Sequence, residues 1–173
     1  MSRRAPGDEL SHLLGSGEEV AVSLNGVVQG FTRWSGLGGI FGVVAALTLP
    51  RLLNLTFVLG ALVIVVVLGL AFLVIYYGAG RPLARRSEPP LSGPYLTLVL
   101  TNRRVLLLDR ELGLDEPLLI EEVQLHQIST VRYGKAGPLV PQRLGYVVDG
   151  EGRRDFEFPR NEPVKKFIDV FSN

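Results

Sequence analysis

Residues 52–77 read LLNLTFVLGALVIVVVLGLAFLVIYY, an uncharged run of 26 residues from Leu52 to Tyr77, of which 22 are hydrophobic. An α-helix rises about 1.5 Å per residue and a bilayer core is about 30 Å thick, so roughly 20 apolar residues suffice to cross it. The valine triplet Val65 to Val67 favours a strand locally, but soluble strands do not reach this length. The run predicts a transmembrane helix over about 53–77, ending in the Tyr76–Tyr77 pair.

Upstream, residues 35–50 are also uncharged but hold four glycines in 16 positions. As a helix they cover about 24 Å, short of a full core. Two features still favour a second span over about 34–49. Gly38-x-x-x-Gly42 is the small-residue spacing that lets membrane helices approach closely, within a hairpin or in a homo-oligomer formed through it. Pro50-Arg51 supplies a break, and Arg51 can snorkel to the far interface. The expectation is a helical hairpin over 34–80, the alternative being a first segment that is interfacial or re-entrant. Arg3, Arg4 and Arg33 precede the hairpin and Arg81, Arg85 and Arg86 follow it, against Arg51 alone between the helices. The positive-inside rule then places both termini in the cytoplasm, at the bacterial inner membrane. The first 30 residues are polar and show no signal-peptide h-region.

Composition agrees once the hairpin is set aside. The 173-residue chain carries 18 basic and 17 acidic side chains and no cysteine, with a mean hydropathy of +0.28. Balanced charge argues against a nucleic-acid binder, and the missing thiols exclude a disulfide framework or a thiolate metal site. Outside residues 35–80 the chain has the composition of an ordinary soluble domain.

Residues 81–94 read as a polar, proline-rich linker. Beyond it, YLTLVLT (Tyr95–Thr101) alternates, and Asn102-Arg103 can turn the chain into RVLLLD (Arg104–Asp109). Further strands are expected at Pro117–Glu122, Ile128–Tyr133, Arg143–Asp149 and Arg154–Phe158, the last two joined by a turn at Asp149-Gly-Glu-Gly152. Val164, Phe167, Ile168 and Phe171 fall at i, i+3, i+4 and i+7, predicting a C-terminal amphipathic helix over 162–172 behind Pro163. Before the hairpin, Leu10, Leu13 and Leu14 suggest a short amphipathic turn. Glu19–Leu24 and Val27–Arg33 suggest two strands around an Asn25-Gly26 turn. Residues 1–33 would thus supply first strands to the β-domain of 95–173, since two spans return the chain to its starting side.

The hairpin YLTLVLTNRRVLLLD, the segment Val123-Gln-Leu-His-Gln-Ile128, the glycine-turn hairpin of Asp149–Phe158 and the helix at Val164–Phe171 occur in an order that resembles bacterial pleckstrin-homology-like (PH-like, GRAM-like) domains. The resemblance covers about residues 93–171, and residues 16–33 less securely. It implies a strongly bent seven-stranded sheet capped by a C-terminal helix, here a membrane-anchored α+β chain with the hairpin set into the edge of the sheet. The chain departs from the family in that hairpin and in lacking a dense basic loop for an inositol-lipid pocket.

No catalytic, cofactor or metal constellation is visible. His12 and His126 have no partners at ligand spacing. Asp115-Glu116 and Glu121-Glu122 are adjacent pairs, which an extended strand points to opposite faces. Binding chemistry remains. Arg81, Arg85 and Arg86 lie beside the predicted span as candidate headgroup contacts worth about 1 kcal/mol each. Arg103, Arg104, Arg153 and Arg154 lie in hairpin turns that would add further headgroup contacts, a basic rim beside the anchor, if both turns faced the membrane. Gly38 and Gly42 are the candidate helix-packing residues. Residues 81–173 hold 14 basic and 13 acidic side chains, which weakens purely electrostatic attachment. The expected function is non-enzymatic and needs no cofactor: a PH-like domain that binds a protein or inner-leaflet headgroups. The alternative is an accessory subunit of a transporter or envelope complex, recognised through its hairpin by a membrane protein partner.

Overall fold

The structure is a computed structural model, and residues 12–53, 56–110, 117–137 and 140–171 are described. The Leu10 position of the expected N-terminal turn, Arg3 and Arg4, and the Asp115-Glu116 pair lie outside these residues. The fold class is α+β. In chain order the elements are β1 (Val20–Val28), α1 (Phe31–Leu52), α2 (Phe57–Ile75), a π-helical stretch (Tyr76–Gly80), α3 (Arg81–Arg86), β2 (Tyr95–Thr101), β3 (Arg104–Asp109), β4 (Leu118–Gln124), a 3₁₀ turn (Leu125–Gln127), β5 (Ile128–Gly134), β6 (Gln142–Val148), β7 (Gly152–Phe158) and α4 (Val164–Phe171).

The strands form one antiparallel sheet in the order β4-β3-β2-β1-β7-β6-β5. β1 joins its two halves. Val20–Val27 pair with β2, and only Val27 and Val28 pair with β7. The sheet bends there, so that Leu24, Leu98 and Leu107 from one half share a core with Leu144, Phe156 and Phe158 from the other. Val164 and Phe167 of α4 are buried in that core, while Lys165 and Lys166 are exposed. β2 and β3 are nearly continuous runs of buried residues because both faces are covered. Leu96, Leu98 and Leu100 face the main core, and Val99, Leu106 and Leu108 pack beneath Leu13 and Leu14.

Four local expectations are corrected. Asn25-Gly26 is not a turn, because β1 runs straight through it. A Cβ at Gly26 would lie 2.6 Å from the Phe158 ring and 2.9 Å from the Glu157 carbonyl, so the glycine admits β7 instead. The chain turns at Gln29-Gly30, where Gly30 has φ +87°, and Phe31–Arg33 open a helix where a strand was expected. The first helix does not stop at residue 49 either. Pro50 sits in its last turn, where its missing N–H costs the helix one hydrogen bond without ending it, and the helix reaches 22 residues, about 33 Å. Finally, the segment 81–94 begins as helix. The π-helical stretch carries α2 directly into α3, and extended chain begins only at Ser87.

Both long helices are long and apolar enough to cross a membrane. Most of their large side chains are exposed, with Phe41 at 73% and Phe57 at 91%. The helices pack through the small residues. Gly42 is buried against Ala71, 2.9 Å from where its Cβ would stand, and a Cβ on Gly38 would occupy the place of the Ile75 side chain. The Gly38/Gly42 spacing is therefore filled from within the chain.

Candidate functional site

The hairpin leaves and rejoins the sheet between β1 and β2, which are hydrogen-bonded neighbours. Its base is built from aromatic rings. Phe31 meets Tyr95 edge-on at 5.7 Å between centroids, and Tyr76 stacks on Tyr95 at 6.3 Å and on Phe72 at 6.2 Å. The π-helical stretch brings Gly80 against Phe31 and Pro94, where a Cβ would lie 2.9 Å from each side chain. Phe31, Ala84 and Leu91 belong to the main β-domain core, and the Leu91 N–H donates to the Ala84 carbonyl at 2.9 Å. This is continuous packing, so the hairpin is fixed to the β-domain at its base.

The arginines singled out from sequence have separate fates. Arg104 is spent within the fold. Its Nε and Nη2 donate to Glu18 at 2.7 Å each, Nη1 pairs with Glu122 at 2.6 Å, and Nη2 also donates to the Leu13 carbonyl. Glu18 further accepts from the Gly15 N–H and the Thr101 hydroxyl. These bonds, chiefly that from Arg104, hold its carboxyl down at about 2. Arg154 is likewise spent: its fork grips Glu121 of β4 at 2.6–3.2 Å across the two halves of the sheet, and its side chain is 6% exposed. The hydrogen bond to Glu121 raises the pKa of Arg154. Neither arginine is available to a headgroup, which corrects the expectation for both. The alternating pattern placed them in turns but gave no sign of Glu18 or Glu121, which are remote in sequence. Glu121 and Glu122 each serve a different arginine.

Arg103 remains exposed in the β2–β3 turn. Arg81, Arg85 and Arg86 lie on α3, and with Tyr77 and Pro82 they line an open depression of about 410 Å³ where the long helix ends. The Arg81 guanidinium lies over the Tyr77 ring, 5.0 Å from its centroid. Arg153 faces outward, and its Nε and Nη2 bind Asp155 at 2.6 and 2.7 Å.

Sequence reasoning missed that Arg132 and Arg143, which look scattered along the chain, stand with Arg153 on one sheet face. Cross-strand register brings them there: Arg132 is opposite Gly145, Gly145 opposite Asp155, and Arg143 opposite Glu157. They line a cavity of about 230 Å³ with Gln29, Gly134 and Gly145. A second cavity of about 270 Å³, lined by Val28, Leu83, Arg86, Ser87 and Glu88, shares Gln29, Arg153 and Asp155 with it. His12 and His126 are exposed, and among the described residues no group of three or more His, Asp or Glu side chains could hold a metal ion.

No family model and no curated protein matches the chain. Three chains of solved structures are similar to it, among them two from Shewanella. One, from Shewanella loihica PV-4, is described as a DUF1696 family protein with a pleckstrin-homology domain. It is 12% identical, with 96% of this chain and 87% of that chain covered and a TM-score of 0.47. The other is a pleckstrin homology domain from Shewanella amazonensis SB2B, also 12% identical, with 96% and 91% covered and a TM-score of 0.45. At that identity neither likeness transfers a ligand or an activity.

Proposed function

We propose that this chain is a non-enzymatic integral membrane protein of the bacterial inner membrane, whose PH-like domain is an interaction module held against the cytoplasmic face. The observation that carries this reading is the place of the hairpin. Two membrane-length helices with exposed apolar surfaces are set between paired strands and wedged against the same core. Exposed apolar area of this extent is costly in water and favourable in lipid. A domain anchored in this way needs no headgroup affinity to reach the membrane, so its remaining surface is free for a partner. Arg81 and Arg85, at the helix exit, are suited to headgroup contact as a supplement.

Alkaline carbonate extraction of membranes tests the anchor, with the full chain expected in the pellet even after Arg81, Arg85 and Arg86 are changed to Glu. Photo-crosslinkers at Tyr133 on the β-domain and Val74 on the hairpin test the module. Protein crosslinks from Tyr133, with lipid alone from Val74, support an interaction domain. The reverse pattern supports the accessory-subunit alternative. Packing of Ile75 against Gly38 and of Ala71 against the buried Gly42 disfavours that alternative, because the face best suited to a partner helix is already occupied.

A further inference from the structure

We infer that the two adjoining cavities on the outer face of β5–β7 form one site for a small, multiply charged phosphate, a diphosphate or bisphosphate group, taken from the cytoplasm and not from the bilayer. Arginines are spaced along the whole groove. Arg132 and Arg143 stand at one end, Arg153 lies in the shared middle, and Arg86 is at the other end. Such spacing suits an anion with more than one charged centre better than a single carboxylate. The planar, five-donor guanidinium is also the side chain best shaped for phosphoryl oxygens.

The floor is glycine. The Asp155 carboxylate occupies the place that a Cβ on Gly145 would take, and a Cβ on Gly134 would be 3.3 Å from that of Arg143. The missing side chains make room for Asp155 over Gly145 and for Arg143 beside Gly134. Asp155 holds Arg153 by two hydrogen bonds and thereby fixes its position over the floor. Arg143 is 3.6 Å from the buried Glu157 carboxylate, a long contact that leaves most of its donors unspent. Arg132 is exposed and has no ion pair among the described residues. Glu88 is the acidic residue in the second cavity that no arginine there holds, and with Gln29 and Ser87 it leaves room for hydroxyl groups on the ligand.

The choice of a soluble ligand follows from depth, and it rests on the membrane reading above. The headgroup layer is about 5–8 Å thick on each side of the hydrocarbon core. Counted along the helix from Tyr77, Arg81 lies about 6 Å further out and Arg86 about 13 Å. Arg81 is thus among headgroups, whereas the groove that begins at Arg86 is beyond them. The groove itself belongs to the β-domain and does not depend on the hairpin spanning a bilayer.

The test is calorimetric titration of the full chain in nonionic micelles with inorganic pyrophosphate, repeated in phosphatidylcholine and phosphatidylglycerol nanodiscs. Saturable 1:1 binding is expected in all three. Arg132→Ala with Arg143→Ala should weaken it at least tenfold, while Lys166→Ala, at an exposed residue of α4 outside both cavities, leaves it unchanged. Arg132→Gln serves as a second variant, expected to weaken binding several-fold in a chain that melts like the unaltered one. Absence of saturable binding at millimolar pyrophosphate would overturn the site, as would unaltered binding by the Arg132 variants. Loss of binding in phosphatidylglycerol nanodiscs alone would assign the groove to a lipid headgroup and overturn the soluble source. Because the micelle arm needs no bilayer, failure of the membrane reading would leave its outcome intact.

Discussion

At the scale of single residues, neighbouring arginines differ sharply in what they do. Arg153 and Arg154 adjoin on β7, but Arg153 is half-exposed and Arg154 is buried against Glu121. Removing one partner of a buried pair costs roughly 3–5 kcal/mol, because the other charge is left uncompensated, whereas an exposed pair contributes at most about 1 kcal/mol. Arg154→Ala should therefore lower the thermal midpoint of the detergent-solubilised protein markedly, and Arg153→Ala should barely change it. Glu18 makes the corresponding pH prediction. Its carboxyl lies at about 2 in the fold, against 4.5 for the ordinary group. The sign for a depressed acid is that its stabilisation is complete above about pH 4.5 and is lost as pH falls towards 2. Through linkage the contribution is roughly 3 kcal/mol. Glu18→Gln should lose about that much at pH 7, with the gap to the unaltered protein closing between pH 4.5 and 2 in denaturant or thermal unfolding.

At the scale of elements, local chemistry made the β-domain readable. β2 and β3 have the boundaries that their alternation and the Asn102-Arg103 turn predict, and α4 follows its i, i+3, i+4, i+7 stripe. What misled was glycine. Asn25-Gly26 carries the strongest short-range turn signal in the chain, yet the glycine answers to the Phe158 ring, 132 positions away. No local rule contains that contact. Gly26→Ala should therefore destabilise by about 1–3 kcal/mol through overpacking, read as a lower unfolding midpoint. The candidate binding residues were legible only as types. Which arginines are spent and which line the groove was decided by Glu18, Glu121 and cross-strand register, none of which leaves a periodic trace. Gly38 and Gly42 show the opposite case. Their spacing was plain in the sequence, and the structure supplies the partner surface, Ile75 and Ala71 of α2. Gly42→Leu should thus break the hairpin itself, appearing as protease sensitivity of the whole chain, where a surface used only by another protein would leave the chain resistant.

At the scale of the molecule, the hairpin and the β-domain share one packed base, with Phe31, Tyr76, Gly80 and Pro94 as its contacts. A chain assembled in this way presents the β5–β7 face at a fixed height above the point where the helices end, and that geometry underlies both the anchored-module reading and the phosphate groove. The anchored-module reading depends on the hairpin crossing the bilayer with β1 and β2 on one side. The chain has no cysteine, so single cysteines can report on each side without further change. The decisive measurement is labelling of Ser16→Cys, Thr56→Cys and Ser129→Cys by a membrane-impermeant maleimide in intact cells and after permeabilisation. Labelling of residue 56 from outside, with residues 16 and 129 reached only after permeabilisation, is the predicted result. Labelling of residue 16 or 129 in intact cells, or protection of residue 56 until permeabilisation, would contradict it.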